Sequence, residues 1–529
     1  MNTAYTVDDI DRASLRTLRC PDTLVIKNRL KEKDKLLHKS IDWILQDPKY
    51  VRWQDEDDVS LLWIKGGAGK GKTMMTIGLV ERLSLPQDES TMVTFFFCQN
   101  ANYELNTIEA IIKGLILRLV NRQKGLIKPL RRRWDTLNWR FNEDVTSWRT
   151  LWDIFLEMLD CCKSRRIYVI VDALDECQDG GMAEFLKKLV RTGLNHPSKI
   201  KWLLTSRPLD SAERELLSGS DQVMVSLELN SKYVAEAVKT YIAARAAELD
   251  HRQNYGPALR QKVEAELTGK AEDTFLWVSL VCKRLESVCR AKVLTTIQDL
   301  PPGLYPFYHR IFNQLSEGES AVVEGCIRLL KVMLVVYRPL TVEEVGSVTG
   351  PSDDEVAIEA LVDRCASFVR KRETHIEFVH QSARDYLGGK DGRSILDSHE
   401  YYGHGEIALS CLSYLSQRLK VNLVDLPRPD SNRESMKEMK DKKRNVLLAS
   451  VDYAATFWVE HVEDAKRTAL IEDALGEQGE VGAFLRAKLL EWLECLSLLD
   501  QLPRAIEALK ILRDAADVSN IDYRPLSIT

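Results

Sequence analysis

Leu61-Leu-Trp-Ile-Lys-Gly-Gly-Ala-Gly-Lys-Gly-Lys-Thr73 is an apolar run that breaks into a glycine-rich turn and ends in Lys-Thr. Gly66, Gly71, Lys72 and Thr73 fill the spacing GxxxxGK followed by Ser or Thr, the pattern of a phosphate-binding loop. Small residues let consecutive backbone N–H groups curl round phosphate oxygens, and a helix starting near Gly71 would point its positive end at them. Gly67 and Gly69 add two places where backbone can approach a ligand closely. The expected ligand-holding stretch is therefore Gly66, Gly67, Ala68, Gly69, Lys70, Gly71, Lys72, Thr73 and Met74. Lys72 supplies charge for the outer phosphates and the Thr73 hydroxyl is placed to hold Mg²⁺.

The flanks supply the context this loop requires. Leu61 to Ile64 reads as a buried strand and Met74 to Leu83 as a helix. From 57 to 230, short apolar strands alternate with amphipathic helices, which predicts an α/β P-loop NTPase domain with a parallel sheet and helices on both faces. The predicted strands are Leu61–Ile64, Met92–Cys98, Ile167–Val171, Trp202–Thr205 and Val223–Leu227. Residues 1–56 form a helical lead-in with periodicity over Leu30 to Leu45, braced by Trp43 and Trp53. Residues 231–300 read as a helical domain. The turn Pro301-Pro302-Gly303 marks the next boundary. Residues 301–390 predict three helices and a hairpin, a winged-helix-like unit whose second helix opens with a capping box from Thr341 to Glu344. Residues 391–529 predict a helical C-terminal region, with a mixed-charge linker or helix surface at Arg428 to Arg444 and helical faces at Val446–Val459 and Phe484–Leu512.

Composition narrows the function classes. A length of 529 residues is too much for one core. A net charge of −5 offers no basic field for nucleic acid, and acidic residues such as Glu343, Glu344, Asp353, Asp354 and Glu355 stand where a DNA-reading winged helix would want cations. The longest apolar runs are far below the roughly 18 residues of a membrane span. Eleven cysteines without CxxC spacing suggest free thiols in a reducing, cytoplasmic setting, and no secretory signal opens the chain.

Two further strands end in reactive side chains. Arg166-Ile-Tyr-Val-Ile-Val-Asp172-Ala-Leu-Asp175-Glu176 delivers acidic residues at the end of a buried strand. Asp172 stands where a P-loop NTPase needs a carboxylate for hydrated Mg²⁺, and Asp175 and Glu176 are both candidates to orient or activate the attacking water. In Trp202-Leu-Leu-Thr205-Ser206-Arg207-Pro208, Arg207 can reach a terminal phosphate and report whether it is present.

Taken in order, Gly66–Thr73, Asp172-Ala-Leu-Asp-Glu176 and Thr205-Ser-Arg-Pro208 resemble the NACHT class of STAND P-loop NTPases, especially the large fungal group related to NOD-like receptors. Thr274-Phe-Leu-Trp277-Val, Leu300-Pro-Pro-Gly303-Leu and Phe378-Val-His380-Gln-Ser382-Ala-Arg-Asp385-Tyr-Leu387 are similar to further segments of that class. The resemblance implies an ATP/ADP switch in which exchange and slow hydrolysis control opening and oligomerisation, as in innate-immunity or incompatibility-type signalling. It also implies that a winged-helix histidine touches the ADP phosphates, for which His380 is the candidate, although Val379 and Gln381 replace its usual Met and Asp neighbours. His375 is expected to be exposed, and Phe275 and Trp277 to pack near the adenine. Members usually carry an effector domain and often repeats, and neither is read in this sequence. Two other readings stay open: a turnover ATPase of remodelling type, and a scaffold whose nucleotide only joins domains.

Overall fold

Leu61, Leu62, Trp63 and Ile64 are buried, as a strand covered on both faces must be. They belong to β1 (Leu61–Lys65), which lies in a parallel sheet with β2 (Thr91–Phe97), β3 (Arg166–Asp172), β4 (Ile200–Ser206) and β5 (Gln222–Ser226). Every strand predicted in this region is present, and the order is β2-β3-β4-β1-β5. One consequence matters for the site: β4 lies between β1 and β3, with Ile64 opposite Thr205 and Val171 opposite Leu204. The computed structural model describes residues 11–518 apart from 13, 16, 17, 19, 34–37, 86–89, 138–146, 178–179, 196–198, 209–214, 217–221, 316–319, 350–357, 400, 425–441 and 477. Two compact units, Met1–Arg310 and Ile311–Thr529, divide the chain.

The first unit packs helices on both faces of the sheet. Thr107 caps the helix Ile108–Arg122 by accepting from Ala110 N at 3.2 Å, and that helix lies on β2. There a Cβ on Gly114 would overlap the Phe96 ring, so glycine sets the approach distance. Trp152 of the helix Trp148–Cys161 stacks on Trp202 of β4 with centroids 6.1 Å apart. Lys201 on β4 is buried, its ammonium donating to the carbonyls of Glu56 and Val59, and burial pulls its pKa down to about 8.

Trp53 packs on Tyr168 of β3 at 5.4 Å and Trp43 stacks on Tyr233 at 5.9 Å, so both lead-in tryptophans brace this unit. The lead-in differs from its predicted single run over Leu30 to Leu45. Helix Thr23–Lys33 is followed by a short 3-10 turn, His38–Ser40, and by separate helices Asp42–Gln46 and Pro48–Asp55. Pro48 cannot continue a helix from Asp47, whose side chain instead accepts from Lys49 N at 2.8 Å and opens a new one.

In the second unit the helix Ser320–Val335 is followed by β6 (Leu340–Thr341), helices Val342–Thr349 and Ile358–Arg364, and the hairpin β7 (Val369–Arg372) and β8 (His375–Phe378). The expected hairpin is there, and β6 adds a third antiparallel strand against β8. The predicted capping box forms: Thr341 Oγ1 accepts from Glu344 N at 3.2 Å, and Glu344 Oε2 accepts from Thr341 N at 2.8 Å. Glu344 is not the surface charge expected of it. It is 1% exposed and takes Arg338 at 2.6 Å. Asp353, Asp354 and Glu355, with most of Arg428 to Arg444, lie outside the described residues. Helices His404–Arg418, Lys442–Ala465, Ala469–Leu475, Glu480–Leu498 and Leu502–Val518 complete the unit. The expected continuous helix over Phe484–Leu512 is broken after Leu498, because Asp500 turns left-handed at φ 62° and Pro503 opens the next helix. Among the described residues no helix is long and apolar enough to cross a membrane. All eleven cysteines are free.

Candidate functional site

β1 ends at Lys65, and the chain turns through Gly66 to Gly71 before the helix Lys72–Leu83 begins. Gly69 and Gly71 hold φ of 71° and 83°, left-handed values that glycine adopts at no steric cost. Gly66 is pressed by Leu227 just beyond β5, where a Cβ would meet the Leu227 side chain at 2.7 Å. Ala68 forms the turn with Gly69, and Met74 lies half-buried in the first turn of the helix. Lys70 faces away from the cradle, its ammonium donating to the carbonyls of Glu272 and Asp273 at 3.1 Å. Lys72 bends back over the loop, donating to Gly66 O at 2.5 Å and Gly67 O at 2.9 Å. Burial lowers its pKa, while the nearby carboxylates of Asp175 and Asp172 favour the charged form.

Asp172 closes β3 and is buried among hydroxyls. Thr76 Oγ1 donates to its Oδ1 at 2.7 Å, Thr205 Oγ1 donates to the same oxygen at 2.6 Å, and Thr73 adds a side-chain hydrogen bond. Burial raises the pKa of Asp172 and these donors oppose the rise. Ala173 follows in the left-handed region at φ 55°, its N–H donating to Thr205 Oγ1 at 3.0 Å. That turn sends Asp175 and Glu176 in different directions. Asp175 accepts from the backbone N–H of Arg207 at 3.0 Å and pairs with its Nε at 3.2 Å. Glu176 turns toward β2 and accepts from Asn100 N at 3.0 Å. Burial, with help from Asp175 and Asp172, pushes the Glu176 carboxyl up to about 7.

These contacts bring Lys72, Thr73, Asp172, Asp175, Glu176 and Arg207 together at the carboxyl ends of β1, β3 and β4. His380 lies in the second unit, where Nδ1 accepts from Ser382 N at 3.0 Å and caps the helix Gln381–Gly388. His375 is exposed. Phe275 packs against Gly71 and meets Tyr241 at 5.6 Å, and Trp277 is buried with Nε1 donating to Pro301 O at 3.3 Å.

Four residues here were not singled out as site residues from the sequence. Thr205, quoted only as part of its motif, and Thr76, one helical turn beyond Thr73, were visible as polar breaks in apolar elements. Asn100 was not, because its contribution is a backbone N–H. Glu228 is the fourth: its Oε1 accepts from Gly67 N at 2.6 Å, and Ser226 Oγ lies 3.2 Å from the other oxygen. No local signal announced a carboxylate at the phosphate loop.

The residues fit a Mg-nucleotide. Positive-φ glycines keep the cradle free of Cβ atoms, a buried ammonium stands over it, and a hydroxyl adjoins an acidic side chain as a hard-cation donor set requires. Residues 39–207 match the family model for the nephrocystin 3 N-terminal region. Over 523 residues, 95% of this chain, the sequence is 33% identical to vegetative incompatibility protein HET-E-1 of Podospora anserina. The chain spans 38% of that relative's length. Among solved structures it is similar to a Walker-type ATPase of Pyrococcus abyssi, with TM-score 0.31 and 14% identity over 66% of this chain and 94% of that one. It is also similar to the ORC1 protein of Aeropyrum pernix solved in complex with DNA, with TM-score 0.29 and 11% identity over 72% and 98% of the two chains. A phosphate loop set beside a buried acidic strand end, on a chain one-third identical along nearly all its length to a fungal incompatibility protein, supports a NACHT-type P-loop protein similar to the NOD-like receptors.

Proposed function

We propose that this chain is the nucleotide-controlled switch of a STAND-type signalling protein, acting in the cytoplasm in incompatibility-type signalling. It binds ATP or ADP with Mg²⁺, hydrolyses slowly and self-associates in the ATP state. The observation that carries the reading is the convergence of Lys72, Asp172, Glu176 and Arg207 on one strand-end cleft. The loop from Gly66 to Met74 would hold the phosphates, and Thr73 and Asp172 would hold the metal. A bound Mg²⁺ supplies charge neutralisation at the phosphates.

The chain's own residues divide the remaining work. Glu176, with its carboxyl near neutrality and one oxygen anchored on Asn100 N, is poised to take a proton from water. Asp175 positions rather than activates, since both of its oxygens hold Arg207. Arg207 then reports the terminal phosphate through the strand between the two motifs. The ring proton of His380 sits on Nε2, because Nδ1 accepts from Ser382 N.

The test is to purify the chain, identify its bound nucleotide and follow its mass by light scattering after exchange into Mg-ATP or ADP. Co-purified ADP on a small species that assembles only in ATP is the expected result. Rapid continuous hydrolysis at constant mass would overturn the switch in favour of a turnover ATPase.

A further inference from the structure

Within the second unit, a file of polar side chains is buried where helices His404–Arg418 and Lys442–Ala465 meet the segment after Ser320–Val335. The backbone N–H of Tyr337 donates to Tyr453 Oη at 3.2 Å, and Tyr453 Oη lies 2.9 Å from His461 Nε2. His461 Nδ1 lies 2.8 Å from His404 Nδ1. Tyr337 Oη donates to Asp464 Oδ2 at 2.5 Å, and that oxygen is 3.7 Å from His404 Nδ1. Tyr453 and His461 are both 0% exposed.

Donor counting places the protons. Tyr453 has one hydroxyl hydrogen, and its acceptor among the described residues is His461 Nε2. His461 therefore carries its proton on Nδ1. That N–H points at His404 Nδ1, which must be the bare nitrogen, leaving the His404 proton on Nε2. Each ring is neutral and held in one tautomer by its neighbour.

We propose that His404 and His461 form an acid-sensitive latch, in which uptake of one proton at His404 Nδ1 breaks the ring-to-ring hydrogen bond that ties the start of helix His404–Arg418 to His461 and passes His404 to Asp464, three residues further along helix Lys442–Ala465. After protonation two N–H groups face each other across 2.8 Å, and the bond between the rings is lost. His461 cannot take the charge in its place, because it is sealed from water. His404 is the first residue of its helix, where a positive charge opposes the helix dipole. The other charged groups around the pair are committed elsewhere. Arg338, behind Tyr453, is held by Glu344 and Asp452, Glu460 is paired with Arg504, and Glu406 caps Gly403 N. Asp464 is the carboxylate placed to draw the new imidazolium away, at the expense of Tyr337. Burial holds both imidazoles below their ordinary range, His461 the further of the two. The unfolded or opened chain thus takes the proton first: the latch is intact above the free-histidine value of about 6.5 and is lost as pH falls below it.

The full chain with ¹⁵N-labelled histidine tests this by NMR. At about pH 7.5 the expected pattern is His461 protonated on Nδ1 and His404 on Nε2, with His404 titrating below about 6.5. The opposite tautomers, or titration of His404 at or above that value, would overturn the latch. His404→Asn keeps an acceptor for His461 Nδ1–H and removes the titrating nitrogen. Between about pH 7.5 and about pH 5.5 the wild-type melting temperature should fall several degrees more than that of the variant, and parallel curves would sink the proposal. If H404N does not fold, Tyr453→Phe decides: without the donor to Nε2, His461 should spread its proton over both nitrogens, and an unchanged single tautomer counts against the latch.

Discussion

On the proposed reading, nucleotide chemistry depends on Lys72. Its ammonium is buried over the loop with two carbonyl acceptors, which leaves one of its three N–H groups for a phosphate oxygen. Charge-assisted hydrogen bonds contribute about 1.5–3 kcal/mol each, so Lys72→Ala should weaken ATP and ADP binding by about a hundredfold or more in calorimetry. An unchanged Kd would rule out this loop as the site. Glu176→Gln separates binding from turnover. It should leave nucleotide affinity within a few-fold and cut hydrolysis by about 10²–10⁴, the range of a general base. Because the folded-state carboxyl is raised to about 7, wild-type hydrolysis should climb with pH through neutrality. Stability runs the other way. The raised carboxyl binds its proton more tightly in the folded chain, so ionising it above about 7 destabilises, and the variant should melt higher than wild type at alkaline pH but not well below neutrality. Glu228 places a negative charge on the amide of Gly67. Glu228→Gln keeps the acceptor and removes the charge, so nucleotide affinity should rise a few-fold at low salt and the gain should shrink as salt is added.

Among the elements, those with strong local instructions formed where the sequence placed them. The sheet strands and the Thr341 capping box are such cases. Glu344 shows what local reading cannot see, since the capping carboxylate is also the buried partner of Arg338 and of Tyr453 N at 3.1 Å. Removing one member of a buried ion pair can cost about 3–5 kcal/mol, and here Arg338 would keep only Asp452 at 3.2 Å. Glu344→Ala should therefore lower the denaturation midpoint of the second unit by far more than the ~1 kcal/mol of an ordinary cap. A loss no larger than the cap would mean that Asp452 alone suffices for Arg338. Helix breaks were misread for a related reason. Apolar periodicity continues across Asp500 and across Ser40–Asp47, while the chain direction changes at a left-handed residue and a proline that periodicity does not register.

For the chain as a unit of signalling, the prediction concerns coupling between nucleotide and assembly. Arg207 is held by Asp175 at the end of β4. Arg207→Ala should retain ADP binding within a few-fold yet lose the ATP-dependent rise in mass by light scattering. Assembly that persists in this variant would assign the sensing of the terminal phosphate to another residue. The latch between His404 and His461 sits in the second unit and answers to pH rather than nucleotide, so its variants should leave the nucleotide Kd unchanged.

The phosphate loop, the acidic strand end and the α/β order were legible in the sequence because each is encoded by neighbours along the chain: glycines where Cβ atoms cannot go, an apolar run that must be buried, a carboxylate at its end. The parting of Asp175 and Glu176 to different partners was not legible. Both follow Asp172, and they part because Ala173 turns left-handed and because β3 lies between β4, which brings Arg207 to one carboxylate, and β2, which brings Asn100 N to the other. Glu228, Thr76 and the paired histidines belong to the same category. Their partners lie elsewhere in the chain, and burial and hydrogen-bond geometry, which exist only after folding, set their protonation and their roles.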